Sequence, residues 1–225
     1  MPNEQSSRSL PTYYKVLAPD RRPFHGGRGQ WPEPGEWLTV GGPLVPCKNG
    51  LHVCTHENLV QWLGPEIWVC EVDESDGIVH TDDKSVVRRA RLSERLNRWT
   101  NRTARLFACD CAERVVHLAP DARSYNAIRI ARLYAEGAAH GADLAAERVT
   151  ARDAGAGASG PAGWAAAWSA TCNAAWDAAG AAARDAGLNE DVTWSEPWSE
   201  VEAAAYYAER TWQTERLFWY LDGEA

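Results

Sequence analysis

The sequence predicts an α+β fold: a small mixed β-sheet in an N-terminal part, packed on an Ala/Trp-rich helical C-terminal part. Short aromatic and β-branched runs, separated by Gly/Pro/Asp-rich loops, fill residues 13–80, the pattern of strands and turns. From Lys84 onward the apolar residues recur at spacings of three to five, which is helical periodicity. The last third is dense in alanine, with tryptophans spaced along it. These shifts divide the chain into an α+β domain over 11–82 with a candidate ligand pocket, and a helical domain over 83–225. The boundary is a change of composition without a linker, so the two parts are expected to pack together.

The totals set the outer limits. A chain of 225 residues, 45% hydrophobic and 24% charged, can bury a core without disulfides. A net charge of -8 disfavours a nucleic-acid partner, because phosphate binding needs a basic face. No apolar run is long enough to span a membrane, and Met1 to Leu10 lacks the apolar core of a signal peptide. The expected location is cytoplasmic, with the six cysteines mostly free thiols.

In chain order, Tyr13-Tyr14-Lys15-Val16-Leu17 reads as the first strand, ended by Ala18-Pro19-Asp20. Residues 21–36 form a long loop carrying His25-Gly26-Gly27 and Trp31-Pro32. Loops of that length are uncommon unless they bind something. Trp37 to Val40 and Leu51 to Cys54 are further strands, and Glu57 to Leu63 a short helix opened by Thr55. Ile67 to Val72 is the strongest strand, with Ile78 to His80 expected to pair with it across a polar turn. Arg91 to Leu118 reads as one long helix with a break near Asn101 and Thr103. Helices over 122–137, 139–154, 163–186 and 200–221 complete the chain.

The chemistry-bearing residues concentrate around Pro46-Cys47-Lys48-Asn49-Gly50-Leu51-His52-Val53-Cys54. His25 and His52 can donate to a hydroxyl or stack on a ring, and flanking glycines let a ligand approach the backbone. The competing reading is a pair of histidines tied to loop carbonyls. Cys47, His52, Cys54 and His56 have zinc-ligand chemistry, but their spacing favours small buried thiols over a metal site. Asp110, Glu113 and Arg114 read as a solvated face, with a buried polar cluster between helices as the alternative. Six arginines between Arg89 and Arg105 make one stretch basic. Trp164, Trp168, Trp176, Trp194, Trp198, Trp212 and Trp219 read as core, the alternative being a recognition surface.

Three resemblances bear on function. Tyr14-Lys15-Val16-Leu17, Phe24-His25-Gly26-Gly27, Cys47 to Cys54 and Phe107 to Val115 resemble a group of actinobacterial and actinophage proteins that names no activity. Cys109 to Val115, Pro120-Asp121 and Ala127-Ile128-Arg129 resemble domains labelled as immunity proteins. The order of strand, His-Gly-Gly, Gly-Leu-His-Val, short helix and strand resembles the first half of an ADP-ribosyltransferase. That resemblance implies NAD as substrate and a protein or DNA target. It assigns His25 to the nicotinamide ribose, His52 to the nicotinamide ring and Glu71 to electrostatic stabilisation of the oxocarbenium charge. Tyr14, Lys15, Gly26, Gly27, Trp31 and Gly50 would surround the cofactor. Gly27 stands where the family has a hydroxyl residue, and His52 where it has a tyrosine.

Two functions follow: an NAD-dependent ADP-ribosyltransferase, or a non-catalytic interaction or immunity-type protein. The enzyme requires His25 and His52 to line one pocket beside a carboxylate. The interaction protein requires an open apolar or aromatic surface instead.

Overall fold

The computed structural model describes residues 12–119, 121–156, 174–187 and 199–223. The chain forms two compact units, residues 1–96 and 97–225. The fold is α+β, with the strands in the first unit and the helices in the second.

The strands of the first unit are β1 (Tyr13–Leu17), β2 (Leu38–Thr39), β3 (Leu51–Val53), β4 (Glu66–Val72), β5 (Ile78–His80), β6 (Ser85–Val87) and β7 (Arg89–Arg95). They make two antiparallel sheets, ordered β1-β4-β7-β2 and β3-β6-β5, where the sequence suggested one mixed sheet. β4 is the spine of the first, with a bulge between Val69 and Cys70. β1 also touches the second sheet: Tyr14 and Cys54 exchange backbone hydrogen bonds, each 2.8 Å. Tyr13, Leu17, Trp31, Leu51, Val53, Cys70, Val87, Ala90 and Leu92 pack into one core.

Three expectations change here. Residues 85–95 are strand, not the opening of a long helix. Ala90 and Leu92 are buried while Arg89 and Arg91 reach outward, a period of two that a 3.6-residue window across Arg91 to Leu118 averages away. Open hydrogen-bonding groups on β4 supply the tertiary demand that overrides local propensity. β5 pairs with β6 and not with β4, because β7 already occupies that edge. The helix expected over 57–63 shrinks to a single 3-10 turn, Leu59–Gln61, cut short by Gly64-Pro65.

The described α-helices of the second unit are α1 (Asn101–Val115), α2 (Ala122–Ala135), α3 (Gly141–Ala156), α4 (Ala174–Gly187) and α5 (Glu200–Asp222). Thr100 and Thr103 form a reciprocal capping box at the start of α1, so the expected break is that helix's N-terminus. Ser199 and Glu202 do the same for α5, which closes on Gly223 in a left-handed cap. Cys109, Ala112, Val116 and Ile128 form the α1–α2 seam. Phe107 meets Trp99 and Tyr220 edge-on, with ring centroids 6.1 and 6.4 Å apart. Residues 155 and 156, expected to open a turn over 155–160, continue α3 instead; the rest of that turn, residues 163–173 of the helix expected over 163–186, Trp164, Trp168, Cys172, Trp194 and Trp198, and the Trp176 side chain lie outside the described residues.

Candidate functional site

In the first unit the anticipated site residues divide into two groups. Lys15, Trp31, Gly50 and His52 come together around β1 and β3, while Tyr14 joins them through its backbone bonds to Cys54, its side chain lying on the opposite face of β1. The Lys15 side chain leaves β1 on the side of Tyr13 and Leu17, and its Nζ donates to the His52 carbonyl at 2.8 Å. The same ammonium lies 5.5 Å from the centroid of the buried Trp31 ring. Burial lowers the Lys15 pKa, against the opposing influence of the Cys54 and Cys70 thiols. The His52 ring is half-buried, and its Nε2 accepts from the Cys47 backbone N–H at 3.0 Å. Burial lowers its pKa too, followed by the charges of Lys15 and Lys84. The backbone of Cys47 is held at φ 61, uncommon for a residue other than glycine.

His25, Gly26 and Gly27 sit in the long loop, where the His25 ring meets the Trp62 ring edge-on at 5.3 Å, and Glu71 lies on the outer face of β4. His25 is exposed, and its Nε2 contacts the carbonyls of Trp62 and Leu63 at 2.7 and 3.0 Å. Gly26 and Gly27 take positive φ in an exposed turn. Glu71 is an exposed β4 residue whose Oε2 accepts from Arg91 at 2.6 and 3.0 Å. Its neighbours Cys70 and Val72 belong to the core side of the sheet, so the Glu71 carboxylate points to the other side, away from Lys15.

Two residues around His52 carried no sequence signal. Lys84 donates to Asp83 Oδ2 at 2.8 Å and lies 4.6 Å from the Trp62 ring centroid. Burial opposes its charge, but Asp83 and Cys47 raise its pKa. They reach His52 because β6 returns beside β3, pairing Val86 with His52. Among the described residues, no three His, Cys, Asp or Glu side chains converge as a metal site.

Lys15 makes the stability of this unit depend on pH in a definite direction. Its folded pKa lies below the ordinary 10.5. The unfolded chain therefore binds more protons just below that value, and the Lys15 contribution falls as pH drops through that window. Cys54 and Cys70, raised by burial to about 12, act oppositely as pH climbs past 9. Comparing wild type with Lys15→Met cancels the thiols. The methionine variant is expected to be favoured most near neutrality, with the advantage shrinking as pH approaches 10.5. Hydrogen exchange of β1 and β3 amides over that range checks it; an unchanging difference would rule the mechanism out.

The second unit carries a polar network of a different kind. Asp110, on the inward face of α1, accepts from Arg132 Nη2 of α2 at 2.8 Å, Arg216 Nε of α5 at 2.6 Å and Tyr220 Oη at 2.7 Å. It is 9% exposed, so the solvated-face reading is corrected for this residue: Asp110 is a buried tie between three helices. Burial raises the Tyr220 pKa to about 12, helped by the hydrogen bond to Asp110. Burial alone would lower that of Arg132, and its bonds to Asp110 and Glu113 overcome this and raise it. A second tie joins Arg114 Nε to the buried Glu209 carboxylate at 2.8 and 3.0 Å. Trp212 and Trp219 are half-buried, each under a guanidinium: Arg114 at 4.1 Å and Arg216 at 3.8 Å.

On the outer side of this frame α1 and α2 enclose an open groove of about 210 Å³. Val116 and Ile128, buried in the α1–α2 seam, form its floor, and the half-buried Leu133 and the half-exposed Tyr125 are its accessible apolar and aromatic residues. Arg129, Arg132, Glu113 and Glu136 supply its charges. Tyr125 is 48% exposed. No protein family, curated protein or solved structure matches the chain. No described helix is long and apolar enough to cross a membrane.

Proposed function

We propose that this chain acts by binding another protein, through the α1–α2 groove of its helical unit. The observation that carries the reading is that groove: an apolar lining beside a half-exposed aromatic ring, bordered by charges of both signs and backed by the Asp110 tie. Interfaces gain most from aromatic and apolar anchors seated in such settings, with polar rims around them. The ties hold three helices in fixed register, so the groove is preformed.

The test is a capture experiment from the cells that produce the protein, followed by reconstitution. Wild type is expected to retain a partner that Tyr125→Ala and Leu133→Glu variants of unchanged melting temperature release. The purified partner should then bind wild type at least about tenfold more tightly than either variant, because central anchors carry most of an interface's energy. Equal binding of all three chains would overturn the reading.

The second reading is an NAD-dependent ADP-ribosyltransferase-like enzyme acting on a protein or DNA target. It draws on Lys15 and Lys84, two cationic groups acting on His52, which suit an anionic ligand such as a pyrophosphate. It lacks the gathering of His25, His52 and Glu71 that the transferase chemistry requires. A melting-temperature rise with NAD, absent in His52→Ala and Lys15→Met, would put this reading first. No shift at millimolar concentrations on the order of many times a working Kd would remove it.

A further inference from the structure

We infer that the occupant of the α1–α2 groove is a second copy of this chain, docked α2 against α2 about a two-fold axis. The inference rests on the protein-binding reading and names its partner.

Of the four charged residues around the groove, Arg132 is held by Asp110 and Glu113, with both contacts at 2.8 Å. That leaves Arg129 and Glu136. Arg129 is exposed, and its guanidinium contacts only the neutral Asn126 side chain, at 2.6 and 3.1 Å, among the described residues. Glu136 is exposed, and among the described residues no cation pairs with its carboxylate.

These two charges are seven residues apart on or at the end of one helix. Seven residues are close to two full turns, so both project from the same side, about 10 Å apart along the axis. The midpoint between them falls beside Leu133. An exposed stripe with a cation at one end, an anion at the other and an apolar residue between is its own complement when turned end over end. Under a two-fold axis at that midpoint, Arg129 of each copy meets Glu136 of the other. The two Leu133 side chains then approach the axis and each other, above the groove floor formed by the buried Val116 and Ile128. A two-fold interface of this kind uses the same patch on both subunits. An unrelated partner would need a matching pair of charges at the same spacing, whereas a second copy has it by construction.

One helix face is a small interface, so the dimer should be weak and transient, as befits contacts below the standard size. Its ion pairs sit at the rim, so added salt should weaken it.

Sedimentation velocity across a concentration series on the full chain tests this. Wild type should shift from monomer toward dimer as concentration rises. Arg129→Glu alone, or Glu136→Arg alone, turns both reciprocal attractions into like-charge contacts and should weaken association by about tenfold or more. The double variant, with both reversals, recreates the pairs with opposite polarity and should return to within about threefold of wild type. Both substitutions are on the surface, and unchanged melting temperatures of the three variants verify the fold. A wild type that stays monomeric at every concentration overturns the inference. So does a dimer indifferent to the reversals, or a double variant no better than the singles. A monomeric chain whose Tyr125→Ala variant still loses a different partner would overturn only the second-copy inference and leave the protein-binding reading standing.

Discussion

Replacing Asp110 with alanine is expected to destabilise the helical unit by about 3–5 kcal/mol, the cost of removing one member of a buried ionic network. The size follows from what is left behind. Tyr220, 4% exposed, loses the acceptor of its hydroxyl. Arg216 loses its carboxylate, and Arg132 retains only the exposed Glu113. Two guanidinium groups would then face one site with no anion between them. Asp110→Asn keeps the shape and one acceptor oxygen but removes the charge, so a smaller loss of about 2 kcal/mol is expected. The described α-helices all belong to this unit, so urea denaturation followed by circular dichroism at 222 nm reports mainly on it. A loss under about 0.5 kcal/mol for the alanine variant, the ordinary range for a surface substitution, would show that the network carries no stability. The same experiment bears on the groove, because Asp110 fixes Arg132, one of its lining residues.

β1, β3 and β4 were readable in the sequence because each is a compact aromatic or β-branched run bounded by turn residues. α2 was readable because Asp121 precedes it and Gly137 follows it. β7 was not. Its alternation covers only Arg89 to Arg95 and is followed at once by helical periodicity, and its partner β4 is distant in sequence. Pairing of that kind is decided by the tertiary structure. Asp110 did leave a signal. It lies three residues after Phe107, on the apolar stripe of α1, and a carboxylate there must find partners. Those partners, Arg132, Arg216 and Tyr220, lie on two other helices, and no spacing rule links them to Asp110. The Lys84–Asp83 pair reached His52 in the same way, through strand register alone. His25, Glu71 and His52 show the converse. Their residue types suited one site, and the backbone sent His25 to the Trp62 and Leu63 carbonyls and Glu71 to Arg91.

Gly50 was assigned to ligand approach by the sequence, and the structure gives it a packing role that predicts a second large effect. Its backbone sits at φ +133, and a Cβ built there would lie 2.2 Å from Val86 Cγ1 and 3.2 Å from Leu44 Cδ2. Val86 is fully buried in β6, so it has nowhere to retreat. Gly50→Ala therefore combines a backbone conformation that alanine resists with an overpacked contact. Together these are expected to cost about 3 kcal/mol. The damage should be local to the first unit. β3 would be pushed off β6, loosening the Cys47 to His52 hydrogen bond, and amides of residues 51–53 and 85–87 should exchange faster. Hydrogen exchange read on peptides covering those strands measures it. Val86→Ala separates the two causes. Alone it removes buried methyls and destabilises, but in the double variant it makes room for the new Cβ, so the losses should fall short of their sum by about 1–2 kcal/mol. Strictly additive losses would mean that the strained φ, and not the close approach of the two strands, is what reserves this position for glycine.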